Sequence, residues 1–389
     1  MIIQRAIHER VKELMKYFPV LSITGPRQAG KTTFLREMFP DYTYLSMEDI
    51  DTRSFARDNP REFLEKYANQ VIIDEAQRVP DIFSYIQGKV DNDKIMGQYI
   101  LSGSQNFLLL EKITQSLAGR VAIFRLLPFS FEELLSAEKF ESDWKKLAHQ
   151  GFYPTIYDRG INPDFYYPNY LETYVERDIR EVVNIQNLGL FQDFVKLCAG
   201  RVGQLLNLNS LATDCGISQP TAKAWLSLLE SSYIIYQLRP YYKNFNKRIQ
   251  KSPKLYFYDT GLLCNLLAIK ASQDLQMHYA RGSIFENMII SELLKKCYNH
   301  TYRPDFYFYR DSNGNEIDLI WEHNQQIDML EIKSGATIND DFFKGINQFK
   351  KTLGPASTGN AYLVYGGNQT QRRSQAQVIG WQDVNNIEL

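Results

Sequence analysis

Cysteine is scarce in this sequence. The 389 residues include four cysteines, which are widely separated and form no CxxC pair. A disulfide framework needs paired cysteines in an oxidising compartment, and a structural zinc site needs closely spaced ligand pairs. Both are therefore disfavoured, and the sequence indicates a reducing compartment, most simply the cytoplasm.

Long apolar runs are also missing. No segment approaches the ~18 consecutive apolar residues that a membrane-spanning helix requires. The N-terminal stretch MIIQRAIHERVKELMKYF alternates charged and apolar residues at helical spacing, without the uninterrupted apolar centre of a signal peptide. We therefore expect no membrane partner.

Neither sign of charge is in excess. Lysine and arginine together number 44, and aspartate and glutamate number 45, so the net charge is −1. A nucleic-acid partner would therefore need a local basic patch. The length predicts about two or three domains, and 44% hydrophobic with 23% charged residues is typical of a globular protein.

A phosphate-binding loop is indicated near the N-terminus. The apolar run VLSIT, read as a strand, is followed at once by GPRQAGKTTFLREMF, which matches the pattern GxxxxGK[ST]. A glycine turn lets backbone N–H groups surround phosphate oxygens, and the following helix presents its positive end. Lys31 would reach the β- and γ-phosphates of ATP, and Thr32 would help to hold Mg²⁺. The predicted nucleotide-binding residues are Gly25, Pro26, Arg27, Gln28, Ala29, Gly30, Lys31, Thr32 and Thr33.

An acidic pair at the end of a second apolar strand completes this motif. In NQVIIDEAQRV, Asp74 would bind Mg²⁺ and Glu75 would polarise the attacking water. The alternative is that the two acids cap a helix. We favour the catalytic role because the phosphate-binding loop lies upstream.

A third strand and an arginine extend the prediction. The strand QYILSGSQ ends near Ser104, which could contact the γ-phosphate or the attacking water if this strand lies between the other two. Arg120 follows a helical stretch and could act as an arginine finger on a neighbouring subunit, which would require a homo-oligomer. Its alternative role is pairing with carbonyl groups at the end of its own helix.

The middle of the chain is predicted to contact nucleic acid, with DNA favoured over RNA. LNLNSLATDCGISQPTAKAWLSLLE has helix-turn-helix spacing, and YIIYQLRPYY would start the wing of a winged helix. The segment RPYYKNFNKRIQKSPK contains six basic residues, no acidic residue and interleaved aromatic residues. The alternative is a structural or protein-binding winged helix. The predicted contacts are Lys223, Lys243, Lys247, Arg248 and Lys251.

Charged residues interrupt two apolar strands near the C-terminus. NEIDLIWEHNQQIDMLEIKSG reads as strand, turn and strand, with Glu331 and Lys333 on one face because side chains alternate along a strand. The preceding helix carries Glu286. A helix glutamate, then Asp318, then Glu331-x-Lys333 is the order of the PD-(D/E)xK nuclease core, where carboxylates hold Mg²⁺. We therefore predict Glu286, Asp318, Glu331 and Lys333 as catalytic, with Asp318 and Glu331 as metal ligands. The alternative is a solvated sheet face with a cross-strand ion pair.

Nearly the whole chain resembles prokaryotic AAA+ ATP-binding proteins that carry a C-terminal restriction-endonuclease-like domain of unknown function. The motifs that support this resemblance are GPRQAGKTT, VIIDEAQ, ILSGSQ, SLAGR, LPFSFEEL, YVERDIR, LYFYDTGLL, GSIFEN, EIDLIW and EIKSG. The resemblance implies ATP hydrolysis, a winged-helix middle and a nuclease-like end. Two departures stand out: Gly-Phe-Tyr-Pro at 151–154 replaces the family's Gly-Gly-x-Pro, and no proline precedes Asp318.

We therefore expect an α/β chain with four parts. These are a P-loop AAA+ domain at 1–127, a helical lid at 128–195, a winged helix at 196–265 and a restriction-endonuclease-like domain at 266–389. The predicted function is an ATPase coupled to nucleic acid, with a magnesium-dependent nuclease site at its end. The alternative is a nucleotide switch whose C-terminal half binds a partner and catalyses nothing. A GTPase is disfavoured because no Asn-Lys-x-Asp motif follows the loop.

Overall fold

Five short apolar runs form one parallel sheet. The computed structural model describes residues 3–103, 116–175, 188–241, 252–323 and 325–389. The strands are β1 Val20–Thr24, β2 Thr43–Ser46, β3 Val71–Asp74, β4 Tyr99–Gly103 and β5 Val121–Arg125. They are ordered β2-β3-β4-β1-β5, and every pairing is parallel. The third strand of the predicted motif, β4, therefore lies between β1 and β3, as the prediction for Ser104 required.

Helices cover both faces of this sheet. Alternate side chains of one strand enter different cores, because Val71 and Ile73 pack on one side and Ile72 on the other. Parallel strands buried on both faces read as continuous apolar runs, as these do. The α-helices described in this half are His8–Leu14, Lys31–Met38, Ile50–Asp58, Pro60–Lys66, Ile82–Asp93, Phe131–Ser136, Trp144–Gln150, Pro154–Arg159 and Pro163–Tyr170. The short turns Ala76–Arg78 (3₁₀) and Leu171–Val175 (π) accompany them.

The middle region contains three described helices and an antiparallel strand pair. The helices are Leu188–Ala199, Leu208–Cys215 and Gln219–Ser231, and the strands are β6 Ile235–Pro240 and β7 Lys254–Phe257. Ser218 caps the third helix by accepting a hydrogen bond from the Thr221 N–H. Trp225 is buried against two phenylalanine rings, so it belongs to the core of this region. The winged-helix assignment stays a prediction.

The C-terminal region adds six strands to the same pair. The strands are β8 Tyr307–Arg310, β9 Glu316–His323, β10 Gln326–Lys333, β11 Thr358–Tyr365, β12 Gln371–Arg372 and β13 Gln377–Gly380. The sheet order is β12-β13-β11-β10-β9-β8-β6-β7, so one sheet crosses the expected boundary at residue 265. β9 and β10 pair antiparallel, which confirms the predicted strand, turn and strand.

One long helix lies across this second sheet. It runs over Arg281–Asn299 and is buried along most of its length. Its Asn287 side chain accepts a hydrogen bond from the Phe257 N–H at 2.7 Å and donates one to the Phe257 carbonyl at 2.9 Å. The remaining helices are Thr260–Leu266 and Lys344–Leu353, with 3₁₀ turns at Ser272–Gln276, Asp340–Phe343, Pro355–Ser357 and Trp381–Asn386. Within the described ranges, no helix is both long and apolar enough to cross a bilayer.

Gly151 joins the lid to the middle of the chain. Its φ is +72°, and a Cβ at this position would lie 1.8 Å from the Tyr167 hydroxyl. The next residue, Phe152, donates its N–H to Asp259, whose carboxylate also caps the following helix through Leu262. Burial raises the pKa of Asp259. The first glycine of the family's Gly-Gly pair is therefore required here, whereas the second position accommodates a buried phenylalanine.

We predict that Gly151→Ala destabilises the protein by roughly 3 kcal/mol, because it adds a steric collision to the strain of a positive φ. Gly160→Ala is the matched control. Gly160 also has a positive φ, of +64°, but no atom of the described residues would lie within 4 Å of a Cβ added there. That variant should lose only about 1 kcal/mol. Urea unfolding measures both, and equal losses would contradict the packing argument.

Candidate functional site

The predicted phosphate loop connects β1 to the helix Lys31–Met38. Gly30 has a φ of +89°, which favours glycine. At Gly25 a Cβ would lie 2.1 Å from the Leu126 carbonyl oxygen, so only glycine allows this approach. The strand before and the helix after the loop confirm the context that the sequence predicted.

Lys31 is buried at the mouth of this loop. Its ammonium group donates hydrogen bonds to the carbonyl oxygens of Gly25 and Pro26, both at 2.8 Å. These contacts hold the positive charge beside the backbone N–H groups that would surround a phosphate.

Asp74 is the buried carboxylate at the end of β3. It accepts hydrogen bonds from three hydroxyl groups: Thr32 at 3.0 Å, Ser102 at 2.5 Å and Tyr44. Burial and the Asp74 charge raise the pKa of Tyr44, so the phenol remains a donor. Sequence reasoning predicted Thr32 and Asp74 and missed Ser102 and Tyr44. Both missed residues lie at or near the ends of strands in the same sheet, which is the signal that could have found them.

The donor set at this position fits a magnesium ion. Thr32 and Asp74 supply adjacent oxygen atoms, which are the ligands that Mg²⁺ prefers, and Mg²⁺ usually completes its shell with water and substrate phosphates. Glu75 lies beside them in a left-handed conformation with a φ of +53°, and it accepts a hydrogen bond from Gln77. Ser104 lies outside the described residues, so its predicted contact is not addressed by the geometry.

A cavity of about 450 Å³ opens at this edge of the sheet. This size is within the range of small-molecule sites. One wall contains the predicted residues Arg27, Gln28, Gly30, Lys31, Thr32, Thr33, Asp74 and Glu75. The other wall comes from the N-terminus and the lid, through Ile3, Arg5, Phe129, Pro154 and Arg159. Sequence reasoning missed this second wall because no motif contains it.

Arg5 connects the two walls. Its guanidinium group is buried and donates hydrogen bonds to Glu133 at 2.9 Å, to the Ala29 carbonyl at 2.8 Å and to the Leu127 carbonyl at 2.5 Å. It also lies 5.0 Å from the centroid of the Phe129 ring. Arg5 therefore fixes the backbone of the phosphate loop to the first segment of the lid.

Two further predicted residues lie away from this cavity. Arg120 forms a bidentate ion pair with Asp91, at 2.5 and 2.9 Å, and donates to the Ala118 carbonyl. Its role on a neighbouring subunit stays a prediction. Lys223 is exposed on the helix Gln219–Ser231. Lys243, Lys247, Arg248 and Lys251 lie outside the described residues.

The predicted C-terminal residues come together beside β9 and β10. The Lys333 ammonium lies 2.5 Å from Glu331 Oε1 and 3.7 Å from Asp318 Oδ2. Asp318 also accepts a hydrogen bond from the Ile332 N–H at 2.8 Å. Burial, reinforced by the Asp318 charge, raises the pKa of Glu331 to about 8.

An unpredicted lysine occupies the same cluster. Lys254, at the start of β7, is 3.1 Å from Glu286 Oε1 and 3.9 Å from Asp318 Oδ1, and it also pairs with Glu316. Burial opposes its charge, but these carboxylates outweigh burial and raise the pKa of Lys254. The sequence placed Lys254 in a basic segment and gave no sign of its burial.

A magnesium ion does not fit the C-terminal cluster as it stands, because an ammonium group already contacts the carboxylates that would bind it. In the described parts of the chain, no group of three or more His, Cys, Asp or Glu side chains is placed to hold a metal ion. No chemistry is therefore assigned to a metal at this cluster.

The sheet order and the Lys31, Thr32 and Asp74 arrangement define a P-loop nucleotide-binding domain. Residues 17–135 match the family model described as an AAA domain. This match supports an AAA+-type ATPase for the N-terminal part of the chain. Residues 141–273 and 281–384 match two different domains of unknown function, DUF8612 and DUF4143.

Similar proteins carry no assigned function. Uncharacterized proteins of Mycobacterium tuberculosis and Mycobacterium bovis are each 29% identical over 343 residues, which is 87% of this chain and 75% of theirs. Among solved structures, a Walker-type ATPase of Pyrococcus abyssi is 15% identical, covers 69% of this chain and 96% of its own, and has a TM-score of 0.46. The Thermotoga maritima RuvB Holliday junction branch migration motor is 17% identical, covers 59% and 89%, and has a TM-score of 0.31. TM-scores this low do not define a function.

We predict that Arg5→Met lowers the free energy of unfolding by about 3 kcal/mol, because it leaves Glu133 buried without its cation. It should also weaken the binding of a fluorescent ATP analogue, since Arg5 holds the Ala29 backbone. Chemical denaturation and a fluorescence titration measure the two effects.

The double variant Arg5→Met/Glu133→Gln should recover part of the lost stability, because it removes both charges. Lys12→Met is the control, since Lys12 forms only an exposed ion pair with Glu9 at 3.5 Å, and it should unfold like the wild type. An Arg5→Met protein as stable as wild type would exclude the proposed link.

Proposed function

We propose that this protein binds ATP with Mg²⁺ and hydrolyses it to ADP and phosphate. The observation that supports this most is the contact between Thr32 and Asp74 beside the buried Lys31, in one cavity. Bound Mg²⁺ would neutralise charge on the phosphates. Thr32 and Asp74 are the residues that would hold it.

The chain's own groups suggest how they act. Lys31 would exchange the carbonyls of Gly25 and Pro26 for phosphate oxygens, which form stronger, charge-assisted hydrogen bonds. Glu75 would orient the attacking water and accept its proton. The apolar groups of Phe129 and Pro154 on the opposite wall would help to exclude other water molecules from the phosphates.

We predict that Lys31→Ala removes ATP turnover and that Glu75→Gln lowers kcat by about 100-fold or more while ATP binding is retained. Phosphate release measures turnover, and a fluorescent ATP analogue measures binding. Lys89→Ala is the matched control, because Lys89 pairs with Asp93 on the surface of the same domain. It should leave turnover unchanged. Turnover by Lys31→Ala at the wild-type rate would contradict ATP hydrolysis at this site.

We propose further that ATP turnover is coupled to DNA. This rests on the segment that contains Lys243, Lys247, Arg248 and Lys251, which has no acidic residue, and on the exposed Lys223. Lysine and arginine contacts to phosphates release counterions, so binding would depend steeply on salt.

We predict that alanine at all four of Lys243, Lys247, Arg248 and Lys251 reduces the salt dependence of duplex DNA binding. The slope of log K against log salt should fall by roughly 3 to 4, and that of Lys223→Ala by roughly 1. Fluorescence anisotropy at several salt concentrations measures this, with duplex RNA as a second ligand. Lys344→Ala is the control, because Lys344 is exposed and pairs with Asp341. Slopes that match wild type would remove the DNA contact.

A second candidate function is a nucleotide switch whose C-terminal half binds a partner without catalysis. The Lys254 ammonium among the carboxylates of the predicted nuclease site favours this candidate. The nuclease role of Glu286, Asp318, Glu331 and Lys333 stays a prediction. The arginine-finger role of Arg120 likewise stays a prediction, and with it the homo-oligomer that it requires.

A further inference from the structure

Lys254 is surrounded by acids from two different elements. Glu286 comes from the long helix Arg281–Asn299, whereas Glu316 and Asp318 come from β9. The Lys254 side chain is only 3% exposed. Two residues along the same strand, Tyr256 donates its hydroxyl to Glu286. Residues two apart on a strand share a face, so β7 presents both donors to one carboxylate.

The charges of the cluster decide which cation it can hold. It contains four carboxyl groups and three cations, namely Glu286, Glu316, Asp318, Glu331, Lys254, Lys333 and Arg310. With every group ionised, the cluster has one excess negative charge. A divalent cation added to it would therefore reverse its sign. If Lys254 lost its charge, the excess would be two, and one divalent cation would balance it.

The geometry agrees with this charge count. Glu286 Oε1 and Asp318 Oδ1 face the ammonium nitrogen, and a divalent metal ion would need those same oxygens at 2.0–2.6 Å. A metal ion there would lie within a few ångströms of Lys254 and would be repelled by it.

Glu331 supplies an independent observation. Its Oε2 atom is buried and has no hydrogen-bond partner within the described part of the chain. That oxygen packs against Gly345, where an added Cβ would lie 3.2 Å away. The cluster therefore has one buried oxygen more than its cations satisfy, as expected of a site in which an ammonium group replaces a cation with more ligands.

We propose that Lys254 is the resident cation of the C-terminal carboxylate cluster, where it takes the place of a divalent metal ion, excludes that ion and fastens β7 to the long helix and β9. This inference extends the second candidate function. It does not depend on ATP hydrolysis, because none of these residues lines the nucleotide cavity.

The test uses the full chain carrying Asp74→Asn, without nucleotide, so that metal at the phosphate loop contributes nothing. Lys254→Met is made in this background, and Lys344→Met is the matched control because it removes a surface lysine that also pairs with an acid. Each protein is titrated with MnCl₂ at constant ionic strength. Thermal unfolding reports stability, and electron paramagnetic resonance counts bound Mn²⁺.

The parent and Lys344→Met should bind no Mn²⁺ at this cluster and should show no saturable rise in Tm. Lys254→Met should unfold at a lower temperature without metal and should recover by roughly 2 °C or more as one Mn²⁺ binds. Adding Glu286→Gln to Lys254→Met should abolish that response, because it removes a ligand.

Two results would overturn the proposal. One is a single Mn²⁺ site in the parent that Glu331→Gln abolishes, which would show that metal binds with Lys254 present. The other is Mn²⁺-dependent cleavage of duplex DNA by the parent that Glu331→Gln removes. Both are measured without Lys254→Met, so the proposal remains testable if that variant does not fold. Loss of the ATPase claim through Lys31→Ala would leave these results unchanged.

Discussion

The structure depends on buried cations that are satisfied by oxygen atoms from distant parts of the chain. A buried charge is tolerated only when it is paired and hydrogen-bonded. Arg5 meets this requirement with Glu133 and two carbonyl groups, and Lys254 meets it with three carboxylates. Lys295 donates to the Phe129 carbonyl at 2.8 Å. Each cation fixes elements that share no sequence motif.

These cations join the two candidate sites through one helix. Lys295 on the helix Arg281–Asn299 holds Phe129, whose ring forms part of the nucleotide cavity. The same helix carries Glu286 to Lys254 at its other end. A continuous set of packed contacts therefore runs from the phosphate loop to the carboxylate cluster. Such a path is the physical requirement for coupling, and only measured coupling energies would establish it.

Sequence reasoning was most successful where function depends on neighbouring residues. The phosphate loop has its predicted strand and helix, β4 lies between β1 and β3, and β9 and β10 form the expected hairpin. It failed for Arg5, whose partner Glu133 is 128 positions away. It also read Lys254 as part of a phosphate-contacting segment, because a lysine in a basic run gives no indication of its burial.

The sequence alone determined which chemical groups are available and which local elements carry them, because strand alternation, glycine turns and loop motifs act over a few residues. Only the tertiary structure decided how those groups are paired. It surrounded Asp74 with three hydroxyl groups, and it placed Lys254 among acids that the sequence had assigned to a metal ion. The physical reason is that the energy of a buried charge depends on its neighbours in space, and these come from every part of the chain.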